Sequence, residues 1–177
     1  VIQNSKLDWT IFRLTAIMGN HSDTKLMFHM PLKSAMEIAT PEDTGRAFVN
    51  ALEKQSALAG KIFNLGGGKR CRLSYEDFLS RSFQIFGLGE LDFPPKAFAE
   101  KNFHCGDYID GDELDKIVQF RRQDIDDYFS MVKNSSSSFT RMISSLFKKQ
   151  IKKGMLKKSE PYHAFKTNDT LKINRYF

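Results

Sequence analysis

Leu7-Asp8-Trp9-Thr10-Ile11-Phe12-Arg13 is the stretch on which the fold turns. Its β-branched and aromatic residues favour extended backbone, and successive side chains of a strand point to opposite faces. Trp9 and Ile11 share one face and Phe12 takes the other, so both faces are apolar. That is the pattern of a strand buried in a parallel sheet. The strand closes through Leu14-Thr15-Ala16-Ile17-Met18-Gly19 into a polar loop, Asn20-His21-Ser22-Asp23.

Outward from this strand, residues 27–33 read as a loop or short strand around Pro31, and Met36-Glu37-Ile38-Ala39 as a second short strand. Thr40-Pro41-Glu42-Asp43 is a helix start: a capping hydroxyl, Pro at the first helical position, and two acids at the positive end of the dipole. Ala47, Phe48, Ala51 and Leu52 supply its apolar stripe, and the helix is expected to reach about Lys54. Lys61-Ile62-Phe63-Asn64-Leu65 is a third strand, stopped by Gly66-Gly67-Gly68. Ser74-Tyr75-Glu76-Asp77 caps a further helix with Phe78, Leu79, Phe83 and Phe86 at helical spacing and Gly87 as its stop. Residues 88–110 show no clean period. One or two helices follow, the second from about Asp124 with Ile125, Tyr128, Phe129 and Val132 on one face.

Composition bounds the rest. The chain has 177 residues, 41% of them hydrophobic and 16 of them Phe, enough for one packed domain or a small domain with an extension. No apolar run reaches the roughly 18 residues that span a bilayer. Cys71 and Cys105 are far apart and the four His lack ligand spacing, which argues against a disulfide scaffold or a metal site and for a reducing, cytoplasmic setting. The N-terminus, Val1-Ile2-Gln3-Asn4, suggests a piece of something longer. The net charge of +6 is concentrated in residues 139–177, which hold ten Lys and Arg against Glu160 and Asp169 alone. Three regions follow: a body over residues 1–133, a Ser-rich linker over 134–138, and a basic amphipathic helix and tail over 139–177. In the last, Phe139, Met142, Ile143, Leu146, Phe147 and Ile151 recur at helical spacing with Lys148, Lys149, Lys152 and Lys153 opposite, and the stripe is expected to pack on the chain's own body.

Four of these segments, in order, resemble the extended short-chain dehydrogenase/reductases, the NAD-dependent epimerase/dehydratases. Leu7 to Arg13, closing at Gly19, resembles that family's "LDYTILRP…VYG" strand. Glu42-Asp43-Thr44-Gly45-Arg46-Ala47 resembles its "V.DVARA" helix start, Lys61 to Gly66 its "G..YNLG" strand, and Arg72 to Phe78 the "S..EL" helix that follows. The likeness covers residues 1–90 well and 91–133 loosely. Arg13-Leu14 departs from the family's Arg-Pro, which weakens the inference for the substrate loop.

The resemblance implies an α/β fold: the C-terminal part of a Rossmann-type epimerase/dehydratase, with a short partial sheet and several helices. It implies the substrate-binding portion of an NAD(P)-dependent nucleotide-sugar epimerase/dehydratase or related oxidoreductase. NAD or NADP would be held mostly by an N-terminal Rossmann half, and a homodimer is compatible with this. The family's catalytic GxxGxxG turn and YxxxK pair are expected to lie upstream and to be lacking within these 177 residues, so no catalytic residue is assigned among them.

The resemblance places Thr15, Ala16 and Ile17 beside the nicotinamide carboxamide, and His21, Phe28, His29, Met30 and Pro31 in the substrate loop. Arg70 and Arg72 are the diphosphate candidates, since a guanidinium grips phosphate oxygens in bidentate fashion. Arg46 reads instead as an i,i+4 partner of Glu42, and Asp43 as a capping residue. Two alternatives stand beside this reading. One is a non-catalytic relative acting as sensor or scaffold. The other is a module whose basic tail binds an anionic membrane or nucleic acid; both are disfavoured as partners, nucleic acid because no recognised nucleic-acid module accompanies the tail.

Overall fold

The structure, a computed structural model, describes residues 1–17, 23–102 and 106–177. Short 3-10 turns aside, the elements in chain order are β1 (Thr10–Leu14), β2 (Ala16–Ile17), α1 (Thr24–Met27), β3 (Ala35–Ala39), α2 (Pro41–Leu52), α3 (Gln55–Leu58), β4 (Lys61–Leu65), β5 (Arg72–Ser74), α4 (Tyr75–Ile85), α5 (Asp112–Val118), α6 (Ile125–Ser135), α7 (Ser138–Leu146), α8 (Lys148–Leu156), α9 (Glu160–Lys166) and α10 (Thr170–Tyr176). The fold is α/β with a short, partial sheet. The chain divides into two compact units, one built from residues 1–20, 36–72 and 105–128, the other from 21–35, 73–104 and 129–177.

In the first unit β1 and β4 run parallel, in register from Thr10 opposite Lys61 to Leu14 opposite Leu65. Thr15 interrupts the strand. Its N–H donates to the Leu65 carbonyl (3.0 Å) and its hydroxyl to the Glu37 carbonyl (2.6 Å). Beyond it β2 takes a new parallel partner, β3, with Ala16 opposite Ile38 and Ile17 opposite Ala39, in a sheet ordered β2-β3-β5. The core holds Ala39, Ala47, Leu58, Phe63, Leu65, Leu114, Val118 and Phe120, with Phe12 packed at its margin.

Two sequence expectations are corrected here. β1 is parallel as expected, but its residues are half-buried or exposed, because among the described residues it pairs only with β4. The stripe expected on α2 is displaced. The helix turns Asp43, Thr44 and Ala47 inward and leaves Phe48 and Leu52 exposed. The inward face is chosen by a polar contact: the buried Asp43 carboxylate accepts from the N–H groups of Arg122 (2.9 Å) and Gln123 (3.0 Å). The α2 start itself is as read, with Thr40 Oγ1 accepting from the Asp43 N–H.

In the second unit Phe28 is fully buried in a cluster with Phe93 and Phe98, and Phe83 packs edge-on against Phe93. α4 is capped by Ser74 and buries Phe78, Leu79 and Phe83, while Phe86 falls at its end and stays exposed. Residues 27–33 do not form a strand: α1, capped by Asp23, takes in Met27 and is followed by turns. α6 continues through Asn134 and Ser135, and the Ser137 hydroxyl caps α7. The expected single helix after it breaks at Phe147 into α7 and α8. The aperiodic tail forms α9 and α10, started by Ser159 and Asp169. Both are seven residues long, too short for a hydrophobic period to register in sequence.

Candidate functional site

In open parallel sheets, ligands sit beyond the carboxyl ends of the strands, where the chain changes partner. Here the carboxyl ends of β1 and β4 lead into Thr15-Ala16-Ile17 and Gly66-Gly67-Gly68. Thr15 and Ala16 are half-buried and Ile17 is 37% exposed.

Gly66 to Gly68 is closed over by protein. The Glu37 side chain is fully buried on β3. Its carboxylate accepts from the Gly68 N–H (2.9 Å), the Arg72 Nε (2.8 Å) and the Tyr108 N–H (3.2 Å). Arg121 donates to the Gly66 and Gly111 carbonyls and pairs with Asp112. A Cβ on Gly66 would strike the Glu37 carboxylate, and one on Gly67 would strike the Ile38 carbonyl and Cys71. These glycines are required by close packing rather than by a phosphate.

Of the two arginines, Arg72 is committed to this network. It also pairs with Asp107 (3.0 Å) and donates to the Tyr108 carbonyl. Arg70 is two-thirds exposed and pairs with Asp124 (2.8 Å), whose carboxylate raises the Arg70 pKa. Arg46 pairs with Glu42 (2.8 Å), as the i,i+4 spacing indicated, and also with Asp43. Cys71 is buried, which pushes its thiol up to about 11 and keeps it protonated and unreactive near neutrality.

The substrate-loop candidates fall in the second unit, except His21, which lies outside the described residues. Phe28 and Met30 are core residues. His29 lies beside the Tyr176 ring (5.2 Å) and pairs with Glu160 (3.2 Å). Glu160 also receives Lys25 (2.7 Å) and the Tyr176 hydroxyl (2.7 Å). Pro31 is half-buried on the wall of a cleft of about 590 Å³, shared with Lys33, Phe93 and Lys96.

The hydrogen bonds from Lys25 and then Tyr176 lower the Glu160 pKa from 4.5 to about 2. A depressed carboxylate pKa stabilises the fold above its unfolded pKa, and that contribution is lost as pH falls through the folded value. The melting-temperature advantage of wild type over E160Q is therefore expected to be full at pH 6 and to shrink between about pH 4.5 and 2. A difference that stays constant down to pH 2 would contradict this.

No protein-family model matches the chain, and no curated protein matches it. Among solved structures it is similar to the Bordetella bronchiseptica enzyme WbmF in complex with NADH. That similarity has a TM-score of 0.39 and 14% sequence identity, and covers 77% of this chain and 38% of the other. The chain thus spans well under half the length of that protein, and so weak a likeness decides nothing about the site.

The expectation that YxxxK spacing would be absent is corrected by Tyr162-His163-Ala164-Phe165-Lys166 on α9. The Lys166 Nζ stands 5.6 Å from the Tyr162 ring centroid. This pair follows β1 by some 150 residues, whereas the resemblance places the family's pair shortly before that strand, so the spacing alone assigns it no role. Among the described residues no group of His, Cys, Asp and Glu is placed to hold a metal, and no helix is long and apolar enough to cross a membrane. Sequence reasoning missed Glu37, Arg121 and Glu160. Glu37 had a signal: a carboxylate inside the apolar run Met36-Glu37-Ile38-Ala39 must find partners if the strand is buried.

Proposed function

We propose that this chain is the substrate-side portion of an NAD(P)-dependent nucleotide-sugar epimerase/dehydratase or related oxidoreductase. The observation that carries the reading is the parallel β1–β4 pair, whose carboxyl ends open at Thr15 with a change of strand partner. Each resembling motif also lies on the element type the resemblance assigns to it: two strands, a capped helix, and a second capped helix.

In this reading Thr15, Ala16 and Ile17 border the nicotinamide. The Pro31 cleft takes part of the nucleotide sugar, with Lys33 supplying positive charge toward its phosphates, while Lys96 is paired with Glu100 (2.7 Å) on the same cleft. Of the two arginine candidates, Arg70 is the exposed one, available to an anion once released from Asp124. Phe48 and Leu52, 49% and 68% exposed, and Leu14, 43% exposed, form apolar surface against which a dinucleotide-binding half would pack. The nicotinamide would exchange a hydride with the substrate; these residues would position the reacting carbon.

The reading makes two binding predictions for the 177-residue chain. NADH, titrated by calorimetry, is expected to bind more weakly than about 1 mM, because no Gly-rich phosphate turn is present. UDP-glucose at millimolar concentration is expected to shift the backbone amide resonances of Lys33, Lys96 and their cleft neighbours. Submicromolar NADH binding would overturn the division of labour, and unshifted cleft resonances would overturn the substrate assignment.

A further inference from the structure

α7 buries none of its residues. Its backbone at Arg141 and Ser145 passes beside Gly87, where an added Cβ would come within 2.5 Å of the Arg141 carbonyl. The Arg141 guanidinium donates to the Lys133 carbonyl (3.1 Å) and to the Ser138 hydroxyl (2.8 Å). The opposite face carries Phe139, Met142, Ile143, Leu146 and Phe147, exposed by 66%, 55%, 39%, 72% and 53%. The sequence expectation that this stripe packs on the chain's own body is thus reversed. The apolar side chains look outward.

Charge says what would cover it. From residue 139 to residue 159 there are seven Lys and Arg and no Asp or Glu. Lys152 is committed to Asp92 and the Glu90 carbonyl. Lys148, Lys149 and Lys153 follow the stripe directly in the chain. An apolar band of bulky residues continued by lysines, whose heads can meet phosphate, matches an anionic lipid interface. Nucleic acid would engage the lysines but has no use for five exposed apolar side chains.

We propose that α7 and the start of α8 form a peripheral docking element for an anionic lipid surface, with the stripe entering the acyl boundary and the lysines meeting headgroups. This goes beyond the substrate-binding role and does not depend on it.

The test is flotation of the full 177-residue chain with vesicles of phosphatidylcholine containing about a third phosphatidylserine, beside vesicles of phosphatidylcholine alone. Wild type is expected to float with the anionic vesicles and to be released by high salt. F139S/L146S, which alters only exposed side chains and leaves charge untouched, is expected to keep the wild-type melting temperature and to lose binding by more than about tenfold. K148Q/K149Q is expected to weaken binding to anionic vesicles and leave the neutral control unchanged. Failure of wild type to float would overturn the proposal. So would equal flotation of F139S/L146S, or stripe-dependent self-association in sedimentation that excludes vesicles.

Discussion

Glu37→Ala is expected to lower the stability of the chain by about 3–5 kcal/mol, read from the urea midpoint at constant slope. The side chain is fully buried and joins β3 to the Gly66–Gly68 turn, to Arg72 and to the segment around Tyr108. Its removal takes the Glu37 acceptor from the Gly68 and Tyr108 N–H groups and leaves Arg72 with Asp107 as its charged partner among the described residues. A buried donor without a partner costs more than its hydrogen bond contributes, because desolvation is no longer offset. R72A in the same background is expected to recover part of the loss, with a coupling energy of about 1–3 kcal/mol in a double-mutant cycle. Additive losses would mean that the two side chains act independently, and the buried network would have to be redrawn.

Phe28→Ala is expected to cost about 3–5 kcal/mol, the range for truncating a buried aromatic. Its ring is fully buried and contacts Phe93 edge-on (5.1 Å) and Phe98 (5.0 Å), while its carbonyl accepts from the Ala99 N–H (2.8 Å). Phe28→Leu keeps most of the apolar volume and is expected to cost less than about 2 kcal/mol. The resemblance had placed Phe28 in the substrate loop. A residue that packs against ligand alone would leave the ligand-free melting temperature unchanged on truncation, so the same measurement separates the two roles. Pro31, on the cleft wall, is the loop candidate whose placement suits contact with a ligand.

The elements legible in sequence share one property: their signals are local. The β-branched run at Thr10 to Phe12, the Thr40-Pro41 and Ser74 caps, and the Gly66 stop after Lys61 to Leu65 each act within a few residues of themselves. The site was less legible. Arg70 and Arg72 look alike as sequence, yet one lies out on Asp124 and the other is tied into the buried Glu37. Phe28, His29, Met30 and Pro31 are consecutive, yet they divide into core, Glu160 neighbour, core and cleft wall.

The sequence by itself determined the α/β class, the strands β1, β3 and β4, the starts of α2 and α4 and the basic character of residues 139–177, because capping, β-propensity and net charge are set by neighbours along the chain. Only the tertiary structure decided which face each element turns inward. α2 buries Asp43 in place of Phe48 because the carboxylate has N–H partners about 80 residues away, and α7 leaves its apolar stripe exposed. Hydrophobic spacing states that a helix has an apolar face; what that face meets depends on contacts between segments remote in sequence.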